Sequence, residues 1–132
     1  MNCLIDHLTW GIMTQIDREQ LIRLLRRWQS GEIDGNTVQY EAEYMVEQLR
    51  PLPEYAQSDP RSICKSVLKI LESLSSQLVM VIDVPAMMNF LATPPGRELA
   101  GWVQWHSYWS SIDFDQRLKV VMENPNSIDI KP

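Results

Sequence analysis

Apolar side chains recur along most of this chain at the spacing of one helical face, and no stretch alternates with the two-residue period of a half-buried strand. The pattern becomes firm at Asp17, an N-cap residue with Gln20 three positions on, in capping-box spacing. Leu21, Leu24, Leu25 and Trp28 then share one face while Arg23, Arg26 and Arg27 fall on the other, and Gly31 supplies the stop. Asp34 can cap a second helix only three residues later, so the two helices are expected to run antiparallel as neighbours. Val38, Ala42, Met45 and Leu49 form the inward stripe of that second helix, and Pro51 and Pro53 end it in a loop reaching Ser58.

Asp59 and Pro60 open a third segment that meets no Gly or Pro before Pro85. Ile63, Val67, Ile70, Leu74, Leu78 and Val81 line one side of it, with Cys64, Leu68, Leu71, Val79 and Ile82 beside them. Such a wide apolar arc predicts a continuous helix over about 60–82, roughly 35 Å long, serving as a spine. A short helix carrying Ala86, Met87, Phe90 and Leu91 follows Pro85. The fifth, from about Arg97 to Ser110, is expected to point Leu99, Trp102, Val103, His106 and Trp109 inward. That rotation leaves Trp105 and Tyr108 off the core as a weaker surface patch, a seat for an N-terminal arm. The sixth, capped by Asp113 with Gln116 in box position, is expected to bury Leu118, Val121 and Met122. The prediction is therefore an all-α fold, a five- to six-helix bundle around a long central helix, forming one domain over residues 1–132. Residues 1–16 read as a packed arm or short helix, and 124–132 as a loose tail.

Composition narrows the function more by exclusion than by assertion. At 132 residues and 45% hydrophobic content the chain can build one core, and no run of about 18 apolar residues spans a membrane. Asp6 and His7 interrupt the N-terminal apolar stretch, and no basic residue precedes it, unlike a secretory signal. Two cysteines, Cys3 and Cys64, read as small buried apolar side chains of a protein in a reducing cytoplasm.

A search for reacting groups returns little. No Gly-rich phosphate loop, nucleophile elbow, HExxH or CxxC is present, so neither a cofactor nor a metal is expected and the chain does not read as an enzyme. His106, set between two tryptophans, is the single residue with acid-base potential, and a rim histidine accounts for it as well. Glu98, Asp113 and Asp115 sit where acids favour helix N-termini.

Charge carries more. The net value is −5, which argues against binding nucleic acid through phosphates. Between Glu32 and Glu54 lie six acids and one base, and over the rest of the chain the two signs cancel. With Val38 and Leu49 inward, the outer side of the second helix carries Asn36, Tyr40, Glu43, Tyr44 and Glu47. Glu43 and Glu47 stand four apart, where like charges weaken a helix, and exposed tyrosines are frequent interface anchors. Such a face suits a basic protein partner steered in by the carboxylates.

The stretch Leu21 to Glu47 (LIRLLRRWQSGEIDGNTVQYEAEYMVE) resembles the opening hairpin of colicin-like bacterial immunity proteins. The resemblance implies a small acidic helical protein of the cytoplasm that blocks a basic toxin domain, with carboxylates standing in for phosphates. An alternative stays open at this point: a structural or regulatory helical domain that forms homodimers or larger oligomers through its Trp and Met surfaces.

Overall fold

The computed structural model describes residues 18–49 and 55–130, the side chain of Leu49 excepted, and these form a helical bundle with no strand among them. Six α-helices follow in order: α1 (Arg18–Gln29), α2 (Gly35–Leu49), α3 (Arg61–Glu72), α4 (Val84–Leu91), α5 (Glu98–Ser110) and α6 (Phe114–Glu123). Single 3-10 turns precede α4 (Val81–Asp83) and follow α6 (Pro125–Asp129). None of the described helices is long and apolar enough to cross a membrane.

The first hairpin forms for local reasons. Gly31 takes φ +84°, a left-handed conformation that costs Gly little, and lets the Glu32 amide donate to the Arg27 carbonyl at 2.9 Å. Asp34 then caps α2 by accepting from the Thr37 amide at 2.8 Å, which holds its carboxyl below the ordinary range. Leu21, Leu24, Leu25 and Trp28 of α1 meet Val38 and Ala42 of α2 in the core, with Met45 half-buried beside them. The capping residue Asp17 and the arm over 1–16 lie outside the described residues.

The third segment departs from expectation. Ile63, Cys64, Val67, Leu68 and Leu71 are buried, yet α3 stops at Glu72 rather than continuing to Ile82. Ser73, Ser75 and Ser76 follow, and serine hydroxyls compete for backbone partners; that of Ser76 donates to the Ser73 carbonyl at 3.1 Å. Leu78 then adopts φ +55°, unusual for a branched residue, and reverses the chain so that Val79 and Val81 still enter the core. The work of a long spine is thereby divided, since α3 and α4 each pack on three other helices and α2 on α3 is the most extensive pairing. Cys64 is buried but disulfide-bonded rather than a free thiol, which removes the ground for expecting a reducing compartment. The other cysteine, Cys3, lies outside the described residues.

Two further expectations are corrected toward the C-terminus. In α5 the rotation differs: Trp105 is buried, stacked at 4.4 Å on Phe90, and Leu99, Val103 and His106 are exposed, with Trp102 and Trp109 half-buried. Gly101 fixes this rotation, because a Cβ there would stand 2.6 Å from the Thr93 hydroxyl. In α6 no residue is fully buried; Val121 is partly covered, whereas Leu118 and Met122 are exposed. The segment after Asn124 is docked, not loose. Ser127 is buried, Ile128 packs on the core, and one Asp129 oxygen accepts from Trp28 Nε1 and from the Gly35 amide, both at 2.7 Å.

Candidate partner-binding face

The outer side of α2 follows from its inner one. Val38 and Ala42 are fully buried, and at 100° per residue the side chains of Asn36, Tyr40, Glu43, Tyr44 and Glu47 turn to solvent, where all five are exposed. Tyr40 and Tyr44 each keep 66% of their surface accessible and stand one helical turn apart. Two large rings on one exposed ridge, with acids around them, form an anchor-and-rim arrangement typical of protein recognition.

The acids of this region are not equivalent. Arg27, reaching across from α1, binds Glu32 at 2.8 Å and Glu41 at 3.4 Å, and these contacts, the Glu32 hydrogen bond foremost, raise its own pKa. Asp34 is occupied by its cap. Three of the acids counted in the sequence therefore serve the hairpin itself. Glu43 is held in place instead: the Ser75 amide donates to Gln39 Oε1 at 2.9 Å, and Gln39 Nε2 donates to Glu43 Oε1 at 3.1 Å. This relay points one carboxylate out from between the two tyrosines at no net cost in charge. It also ties the face to the turn after α3.

Other candidate chemistry disperses. His106 is exposed, its ring 5.4 Å from that of Trp102, and it reads as a rim residue. Glu98 is buried and accepts from the Gly96 amide, while Asp113 caps α6 through the Gln116 amide at 3.0 Å. Among the described residues no group of three His, Cys, Asp or Glu side chains converges as metal ligands would.

A polar cluster absent from the sequence reading lies behind α5. Asp83, fully buried, accepts from the Met80 amide at 2.8 Å, from the Tyr108 hydroxyl, and twice from Arg117 at 2.7 Å. Arg117 also donates to the Leu78 carbonyl at 3.0 Å. Burial first, then the hydrogen bond to Asp83, pushes the Tyr108 phenol up to about 12. For Arg117, burial opposes the charge, but bonding to Asp83 outweighs it and raises the pKa. A carboxylate with every lone pair committed is a clamp rather than a base, and this one joins the turn before α4 to α5 and α6. The only sequence signal was a lone acid inside the apolar run Leu78 to Val84, which says that Asp83 must find a partner without saying where.

No family model, curated protein or solved structure matches the chain.

Proposed function

We propose that this chain is a non-enzymatic protein whose α2 ridge docks on a basic protein partner, and that the partner is a toxin domain which it neutralises. The observation that carries the reading is the pair Tyr40 and Tyr44, two-thirds exposed on one ridge beside Glu43 and Glu47. A protein gains nothing for its own stability by exposing two large rings in register, whereas a partner that buries them gains area at little entropic cost. The carboxylates speed encounter with a basic surface and, once docked, occupy positions that substrate phosphates would take. The hairpin that presents them also carries the resemblance to immunity proteins.

The test is the affinity for a basic toxin domain encoded beside this gene, by calorimetry at two salt concentrations. Tyr40→Ala and Tyr44→Ala are each expected to weaken binding by about 2 kcal/mol, roughly thirtyfold. Glu43→Gln is expected to lower the association rate and its salt dependence. Full affinity after all three changes sinks the reading.

A second reading rests on a different surface. Leu99 and Val103 expose 60% and 68% of their area on α5, and from Leu99 to Ser110 this helix has no Asp, Glu, Lys or Arg side chain. A second copy of an acidic chain meets no like-charge repulsion along such a face, so homodimerisation is the association it favours. Sedimentation equilibrium of the wild type and Val103→Asp decides the matter. Two identical monomer profiles would remove this alternative.

A further inference from the structure

Beside the start of α3, away from the acidic ridge, a cleft of about 260 Å³ opens between Tyr55, Lys65, Ser66, Lys69 and Trp102. None of the described residues lining it is acidic, although the chain as a whole carries −5. Lys65 and Lys69 stand four apart on α3, the spacing at which like charges weaken a helix, and both border the same opening. Lys69 and the Ser66 hydroxyl have no hydrogen bond or ion pair among the described residues.

The walls are aromatic and held in place. The Trp102 indole donates to Ser62 Oγ at 3.2 Å and packs edge-on against Phe90 at 5.0 Å, so its ring cannot swing into the opening. The Tyr55 ring, also in the lining, carries the Arg61 guanidinium 4.5 Å from its centre, and Arg61 is itself clamped by Asp59 at 2.7 Å. The Lys65 ammonium lies 5.7 Å from the same ring. The unpaired Lys69 ammonium and Ser66 hydroxyl, in a cleft that two rings also line, are complementary to an anionic group attached to a flat ring. The volume is small for a drug-sized ligand and suits one of mononucleotide class, partly open to water.

We propose that this cleft is a ligand site for a small phosphorylated molecule bearing a planar ring. The phosphate takes hydrogen bonds from Lys69 Nζ and Ser66 Oγ, and the ring lies against Trp102 or Tyr55. The site is independent of the α2 ridge and stands whether or not that ridge binds a protein.

Calorimetry on the full chain tests it with phenyl phosphate, adenosine 5′-monophosphate, adenosine, phenol and inorganic phosphate as probes. One or both ring phosphates are expected to bind more tightly than inorganic phosphate and than their uncharged counterparts, with affinity falling as salt rises. Lys69→Gln, at an exposed position, is expected to weaken binding roughly tenfold while circular dichroism stays unchanged. Tyr55→Leu is expected to reduce the preference for ring phosphates over inorganic phosphate. The proposal is overturned if neither ring phosphate binds at millimolar concentration. It is equally overturned if inorganic phosphate binds as well as both, or if Lys69→Gln binds as the wild type does.

Discussion

Replacing Arg117 by Met removes the only cation that faces Asp83 in the described structure. The Asp83 carboxylate is wholly buried and the Arg117 side chain only 10% exposed, so the pair is a buried salt bridge rather than a surface one. Removing one partner of such a pair costs about 3–5 kcal/mol, because the remaining charge is left without compensation. Here the lower end applies: the Met80 amide and the Tyr108 hydroxyl still donate to Asp83, and Met fills much of the space of the arginine stem. The expected loss is about 3 kcal/mol, or about 10 °C in Tm for a chain of this size. Chemical denaturation followed by circular dichroism measures it, and the double variant Asp83→Asn with Arg117→Met supplies the control. If the loss comes from the stranded charge, the double variant is more stable than Arg117→Met alone. A single variant within about 1 kcal/mol of wild type would show that the clamp contributes little and that α6 is held by other contacts.

Three more expectations follow from the same packing. Tyr108, with its phenol raised to about 12 against 10.0 for an unperturbed tyrosine, should ionise late; since the folded state keeps the proton longer, its contribution to stability is complete below about pH 10 and fades as pH climbs toward 12. Ultraviolet difference titration with Tyr108→Phe as reference reads this, and a Tyr108 signal centred at the unperturbed 10.0 would refute it. Asp129→Ala strands the indole N–H of the buried Trp28 and the first amide of α2, and should cost about 2 kcal/mol in denaturant melts; an unchanged midpoint would mean that the last 3-10 turn is not docked in solution. Gly101→Ala improves helix propensity by about 1 kcal/mol, yet the new methyl group meets Thr93, which is held by its own bond to the Phe90 carbonyl at 2.6 Å, so a net destabilisation of about 1–2 kcal/mol is expected by thermal melting, and a gain in Tm would contradict the close approach.

What the sequence made legible tracks how local the determining interactions are. The α1–α2 hairpin is written in signals that act over a few residues, the left-handed Gly31 and the Asp34 cap, and both stand where they were expected. The outer face of α2 was equally readable, because its apolar stripe is narrow enough to leave one rotation. The end of α3 was harder, since serines and Leu78 interrupt a helix less audibly than Gly or Pro, and only the φ of Leu78 exposes the turn. In α5 the apolar residues surround the helix, so periodicity admits several rotations. The choice is made at a distance, by Thr93 against Gly101 and by Asp83 holding Tyr108. The docking of Arg117 on a carboxylate 34 positions earlier has no local trace at all.

The bond from Trp28 to Asp129 spans 101 positions, and the same carboxylate completes the amino end of α2. During synthesis the hairpin that carries the acidic ridge can therefore coil early from its own turn signals, but its buried indole and its leading amide wait for an acceptor translated more than ninety residues later. Closing so wide a circuit adds little entropy beyond that of a shorter one, so the penalty falls on timing rather than on final stability. A nascent chain lacking the Pro125–Asp129 turn would present Tyr40 and Tyr44 on a hairpin that has not yet locked, which makes docking of that turn the event that fixes the start of α2.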